Sequence, residues 1–399
     1  MKPLEGIKVI DLTHMLAGPH AGMVLADLGA EVIKIEPLHT GEMTRSLLSK
    51  DSNYSFKGFG AYFLTLNRNK KSVAIDLKNK NGLKVFYDLV TKADVVINNF
   101  SAGVIKKLKI DYFHLSKINP SIITCSITGF GESGPNHQRP AYDNIIQGFS
   151  GGMSITGKDS SNTVRSGIPI ADLGGGLYGV IGILSSLIAR EKIGKGQHID
   201  ISLLDVQISL LTYMITMHTL SGLDPTPIGN AHFAHVPFNS FTTKDGFIVI
   251  AVITNEFWNS LKDVVCIEKF NNTKFDDPMG RLRNQKFIEA LLNKRLKVET
   301  TDYWLKKLQE ARVPCGPINS FSKAISDEQV LYRKMIVEVN HPDGGKVKMP
   351  GNPVKMSMTN EDFFSPPPRL GQHTSETLRS WCNYNKTKIK DLIKKKIIT

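Results

Sequence analysis

Short apolar runs alternate with stretches of helical spacing through the first part of this chain, and that alternation restricts the fold more than any single motif. Residues 7–11 (IKVID), 31–36 (EVIKIE), 72–76 (SVAID), 94–98 (DVVIN) and 121–127 (SIITCSI) read as strands. Residues 17–28, residues 79–91 and a stretch after Ser101 carry helical spacing between them. Strands linked by helical crossovers pair in parallel, which predicts an α/β fold with a doubly wound sheet. Glu36 closes the second run where a ribose-binding acid would stand. The first turn, residues 13–22 (THMLAGPHAG), nevertheless lacks the GxGxxG of dinucleotide binders.

The chain has 399 residues, enough for more than one domain, and its 41% hydrophobic and 22% charged content is that of an ordinary globular protein. No membrane span is read from the sequence, and the start, MKPLEGIKVIDL, enters a strand pattern without a secretory or transit-peptide character. A cytoplasmic location is the expectation, or the mitochondrial matrix if a transit peptide was removed. Cys125, Cys266, Cys315 and Cys382 form no CxxC pair, so reduced thiols are expected rather than a zinc knuckle or disulfide framework. The net charge of +13 is scattered, apart from lysines gathered at 386–396 (KTKIKDLIKKK), a run that reads as a solvated helix face or a fraying end. No aromatic-interleaved basic motif accompanies it, so no nucleic-acid partner is expected. Small polyanions suit the charge better.

Further along, helical patterns run from Asp172 to about residue 191 and from about 202 to 218, separated by the turn 194–196 (GKG). Residues 223–230 (LDPTPIGN) break the periodicity as a linker. A hairpin is expected from 238–242 and 247–252 around the turn 244–246 (KDG), with helices at 256–265, 281–295 and 301–311. A second hairpin brackets 342–345 (PDGG), and the last stretch, from Pro366, holds one or two helices.

Chemistry concentrates around Asp172, which one residue separates from three glycines in 166–179 (SGIPIADLGGGLYG). A strand-like run there is expected to give way to a helix. The early amides of a helix lack internal partners, so they can receive developing negative charge, and glycines let the backbone approach a ligand. Helix capping is the plain alternative for such an Asp. The histidines make no HxxxH or HxH arrangement with carboxylates, so no metal is expected. The loop in 126–142 (SITGFGESGPNHQRPAY) is not a GxSxG elbow, yet it follows a strand's carboxyl end, where open α/β sheets hold ligands.

Taken in order, 6–11 (GIKVID), 16–19 (LAGP), 28–36 (LGAEVIKIE), 66–76 (LNRNKKSVAID), 94–100 (DVVINNF), 171–176 (ADLGGG), 194–200 (GKGQHID), 351–355 (GNPVK) and 370–374 (LGQHT) resemble the family III CoA-transferases, typified by formyl-CoA:oxalate and carnitine CoA-transferases. Residues 126–134, 313–318 (VPCGPI) and 366–374 (PPPRLGQHT) resemble the succinyl-CoA-dependent branch acting on glutarate or hydroxymethylglutarate. The resemblance implies a Rossmann-like large domain built from both chain ends (1–200 and 331–399), a linker helix at 201–225, and a smaller α+β domain at 226–330. It also implies an interlocked-ring homodimer. Acyl-CoA and a carboxylic acid would be substrates, with no permanently bound cofactor and no membrane partner.

By the same resemblance Asp172 is the nucleophile, with amides of Gly174, Gly175 and Gly176 as oxyanion donors. CoA would be met by Leu16, Ala17, Ile75, Lys78, Asn99, Phe100, Ser101 and Lys107, with Arg139 a further phosphate candidate. Pro37 stands where formyl-CoA enzymes carry an Arg, so that contact is not carried over. His232, His235, Arg281 and Arg283 are candidates for a distal carboxylate. The racemase branch pairs its Asp with a His, whereas Tyr142 stands at that place here, and a phenol is a poor proton acceptor at neutral pH. A CoA-binding protein without catalysis is the remaining alternative.

Overall fold

The computed structural model describes residues 2–359 and 364–399. The chain forms two compact units, one comprising residues up to Gly152, Ser166–Gly222 and Gln329–Thr399, the other Met153–Arg165 and Leu223–Glu328. The expected 226–330 domain overlaps the second unit, which also takes in 153–165. The expected linker helix at 201–225 falls within the first unit as far as Gly222.

In the first unit six strands form one sheet: β1 (Lys8–Asp11), β2 (Glu31–Glu36), β3 (Lys70–Ala74), β4 (Val95–Asn98), β5 (Ile123–Thr128) and β6 (His198–Ser202). Their spatial order is β3-β2-β1-β4-β5-β6, every pair parallel. The order reverses between β1 and β4, so their carboxyl ends flank the crevice where such sheets bind ligands. Strand alternation divides the apolar residues between two faces. Ile10, Ile33, Ile35 and Val73 face helix α2 (Lys80–Val90). Val9, Val32, Val95 and Ile97 face α1 (Ala17–Asp27) and the long helix Ile170–Ile193.

The helix expected after Asp172 starts at Ile170, and residues 166–169 precede it as turn and coil rather than strand. Gly167 and Pro169 break the apparent alternation. By length and composition this helix is apolar enough to cross a membrane, and half of its apolar stretch is buried inside the unit. The helix expected at 202–218 is two, Leu203–Leu210 and Tyr213–Ser221, broken at Thr212, whose φ is +44°. The C-terminal helices Thr374–Cys382 and Lys386–Lys394 add Leu378, Trp381, Ile389 and Leu392 to the α2 face of the core. The lysine-rich end is therefore a solvated helix face, the first of the two expected readings, with its apolar side docked rather than fraying. Its last turn is followed by Ile397 and Ile398, each 2% exposed.

The second unit has a three-stranded antiparallel sheet in which Phe238–Thr242 and Phe247–Ala251 form the expected hairpin, extended by Cys315–Pro317. Trp258, Phe270, Phe275 and Trp304 fill its core.

Candidate active site

Asp172 lies in the first turn of the long helix. The cap is supplied from elsewhere: Asp143, at the start of α-helix Asp143–Phe149, accepts the backbone N–H of Ala171 at 2.9 Å and of Asp172 at 3.3 Å. Its other oxygen accepts from Gln147 Nε2 at 2.6 Å, and Gln147 Oε1 in turn accepts the N–H of Ser166 at 2.8 Å. Asp143 thus meets the need that a capping Asp172 would have met, leaving the Asp172 carboxylate with no hydrogen-bond partner among the described residues. Burial pushes its pKa up to about 7, and the nearby Asp143 charge pushes the same way. Tyr62 is within electrostatic reach of both carboxylates, and burial together with their charge raises its phenol above the ordinary value.

The glycines pack the helix. A Cβ at Gly176 would stand 2.6 Å from the Ala17 carbonyl oxygen and 3.1 Å from His20 Nδ1, while one at Gly175 would clash with Leu203 Cδ2. Leu173 N–H already closes the first helical bond to Pro169 O at 3.0 Å, so Gly174–Gly176 follow inside the helix, where amides have internal acceptors. The oxyanion role expected of those amides therefore lacks free donors in this geometry. Gly176 instead brings the first βα turn, with Leu16 and Ala17, against the turn after Asp172.

That first turn is held from the opposite side of the sheet reversal. Asn99, just past β4, accepts the His14 N–H at 2.8 Å and donates to the His14 carbonyl at 2.7 Å, so its amide fixes the turn. Beneath it, buried Asp11 accepts from Lys70 at 2.9 Å and from Thr13, while Lys34 donates to Thr13 O at 2.7 Å. Those cations hold the Asp11 carboxyl far below the usual range despite its burial.

Two cavities flank Phe100. One, about 530 Å³, is lined by Ile75, Lys78 and Phe100 with His14, Pro37, His39 and Lys396. The other, about 260 Å³, is lined by Phe100, Ser101, Lys106, Glu132 and His137. Lys106 lines it, whereas the expected Lys107 is an exposed neighbour on the short helix Val104–Leu108. Arg139 lines neither cavity and stacks over Phe130 and Phe149, its guanidinium 5.6 and 5.4 Å from their ring centres. Asp172 also lies outside both cavities.

Sequence reasoning missed Asp143, Tyr62, His14 and Lys396. Burial lowers the His14 pKa, and its Nδ1 has no hydrogen-bond partner among the described residues. In the second unit Arg281 is withdrawn from any substrate role: it is buried and donates to Val236 O, Phe275 O and Asn255 Oδ1. The rings of His232 and His235 lie tilted to one another at 31°, with centroids 4.7 Å apart.

The parallel sheet with its strand-order reversal, and the seam between the first βα turn and a carboxylate-bearing helix, place this chain in the class of open α/β folds that offer a ligand crevice at the sheet reversal. The family model for CoA-transferase family III matches residues 4–374, and the chain belongs to that family. It is 37% identical over 395 residues to the succinyl-CoA:glutarate CoA-transferase of Homo sapiens, covering 98% of this chain and 89% of that protein. It is 38% identical to the acetyl-CoA:oxalate CoA-transferase of Acetobacter aceti, covering 89% of each. The crystal structure of a CAIB/BAIF family protein from Brucella suis superposes with a TM-score of 0.86 at 36% identity, covering 95% of this chain and 99% of that one. The protein is thus a CoA-transferase with the CAIB/BAIF-like fold, acting on acyl-CoA and carboxylic acid substrates.

Proposed function

We propose that this protein moves CoA from succinyl-CoA to a dicarboxylic acid of the glutarate or hydroxymethylglutarate type, with Asp172 as the nucleophile. The observation that carries the reading is the Asp172 carboxylate itself: half-buried, without a hydrogen-bond partner among the described residues, and with its pKa pushed up to about 7. Such a group is a better nucleophile than a solvated carboxylate, because little solvation must be stripped from it before attack. Its oxygen attacks the thioester carbonyl and expels CoA thiolate, giving a mixed aspartyl anhydride. The thiolate then attacks the aspartyl carbonyl, releasing the donor acid and leaving an aspartyl-CoA thioester. The acceptor carboxylate attacks that thioester, and the returning thiolate takes the acceptor's acyl group and frees Asp172. The thioester's free energy passes from acid to acid without loss to water. The pantetheine arm separates nucleotide from thioester, so a nucleotide held in the cavity lined by Ile75, Lys78 and Phe100 is compatible with a thioester at Asp172, which lies outside that cavity.

The similarity to a glutarate enzyme favours that acceptor, whereas an oxalate enzyme of equal identity shows that similarity at this level leaves the acid open. Tyr142 is 62% exposed and caps a helix, which disfavours a racemase needing a second buried base. Homodimerisation is supported by Ile181, Ile188, Tyr213 and Leu220, apolar side chains exposed on two helices of the first unit; sedimentation as a monomer at micromolar concentration would remove it.

The test is intact-protein mass after mixing with succinyl-CoA, followed by an acceptor panel of glutarate, hydroxymethylglutarate, oxalate, malate and carnitine. Wild type is expected to show a succinyl or CoA adduct and to transfer fastest to a C5 diacid. Asp172→Ala is expected to lose transfer by about 10⁴-fold while retaining CoA binding. Adduct formation and transfer persisting in that variant would reject Asp172, and absence of both from wild type would favour a non-catalytic CoA binder.

A further inference from the structure

Lys396 is the one lysine of the 386–396 run on the wall of the larger cavity, where it joins Lys78. The backbone around it is fixed on both sides. The helix Lys386–Lys394 closes with paired bonds, Lys396 N–H to Ile393 O at 2.9 Å and Ile397 N–H to Leu392 O at 3.0 Å, the signature of a Schellman cap. Just beyond, Asp76 N–H donates to Ile397 O at 3.0 Å and Ile75 bridges Ile398, which ties the end of the chain to the edge next to β3. Lys396 itself occupies the left-handed position of the cap, with φ of +54°, where glycine is the relaxed choice. Lys109 and Lys334 also adopt positive φ, so strain alone does not single it out. Its place on the cavity does.

The remaining wall is largely apolar, with Leu12, Ile35, Leu38, Leu77 and Phe100. Glu36, also on it, is neutralised by two bonds from Arg45 at 2.6 and 2.7 Å, and Asp76 is the remaining acid. Pro37 contributes no donor. An apolar slot with two ammonium groups on its wall suits a flat heteroaromatic base that carries phosphate. We propose that Lys396, together with Lys78, binds a phosphate of the CoA nucleotide, so that the C-terminus of the chain supplies a substrate-binding residue. The proposal rests on the CoA-transferase reading.

The experiment measures binding of CoA and of 3′-dephospho-CoA by calorimetry to full-length wild type, Lys396→Gly, Lys78→Ala and Lys394→Ala. Lys396→Gly relieves the left-handed strain, so its melting temperature is expected to equal or exceed that of wild type while its affinity for CoA falls about tenfold. Opposite movements of stability and affinity separate a ligand contact from a structural role. Lys394→Ala removes the same charge from an exposed site off the cavity and is expected to bind CoA as wild type does. A loss confined to CoA assigns the 3′-phosphate, and an equal loss with dephospho-CoA assigns the pyrophosphate; either supports the contact. Unchanged affinity in Lys396→Gly, or an equal loss in Lys394→Ala, overturns it while leaving CoA binding by the protein intact. Failure of wild type to bind CoA would instead overturn the underlying reading and this contact with it.

Discussion

Asp172 is subject to opposing influences at the level of the single residue. Its place in the first helical turn favours the carboxylate form, whereas burial and Asp143 oppose it and prevail, since the pKa is pushed up to about 7. Between the ordinary value of 3.8 and about 7 the folded protein holds a proton that the unfolded chain has released. Stability therefore falls as pH rises through that window. Asp172→Asn is expected to stabilise the protein at pH 8 by on the order of 2 kcal/mol, after discounting for partial exposure, and to leave it nearly unchanged at pH 4. Urea unfolding at the two pH values checks this, and equal shifts at both would show that the carboxyl is not held up by its surroundings. The nucleophile must be ionised, so kcat/KM for the acyl-CoA is expected to rise with pH to a plateau above about 7. Asp143→Asn removes the neighbouring negative charge and should move that acid limb to lower pH; a limb that stays in place would assign the whole shift to burial.

At the level of elements, the glycines of the long helix divide by what they face. Gly176 faces backbone, the Ala17 carbonyl, while a Cβ at Gly174 would meet only side chains, Val206 Cγ1 at 2.9 Å and Leu210 Cδ1 at 3.2 Å. Side chains rotate away and a carbonyl within a turn does not. Gly176→Ala is accordingly expected to lose about 1–3 kcal/mol and to weaken acyl-CoA binding through the displaced first turn, whereas Gly174→Ala should be near neutral as helix propensity offsets crowding. Thermal melts and KM for the acyl-CoA compare the two, and equal behaviour would show that the turn yields. Local pattern made β1, β2, β4 and the hairpin Phe238–Thr242/Phe247–Ala251 legible because their apolar periodicity is strong. It missed β6, a short edge strand whose first residues are only half-buried or exposed, and it took the run leading up to Asp172 as strand-like where the structure has turn, coil and then the helix start. The candidate site was legible at Asp172 and the first βα turn. Asp143 capping a helix 28 residues away, or Asn99 gripping His14 across 85, leaves no periodic trace.

For the whole molecule, both ends of the chain complete one core. Ile389, Leu392, Ile397 and Ile398 pack into the same cluster as Ile10, Ile35, Val73 and Ile75. Each buried aliphatic side chain contributes roughly 1.5–3 kcal/mol, so removing all four forfeits a sum comparable with the entire stability of an ordinary domain. Truncation after Asn385 is expected to abolish the cooperative unfolding of the first unit. That variant alone cannot separate a lost ligand contact from a lost fold. Ile398→Ala is the finer probe: the residue is 2% exposed and bridges Ile75, so its truncation should cost about 2–4 kcal/mol, read as a lower urea midpoint at unchanged slope. CoA affinity should also fall in this variant, because the same bridge fixes the backbone from which Lys396 reaches the cavity. Lys396→Gly, by contrast, lowers affinity without lowering the midpoint. Were Ile398→Ala as stable as wild type, the tail would not be docked, and the basis for a lysine held at the cavity wall would be gone.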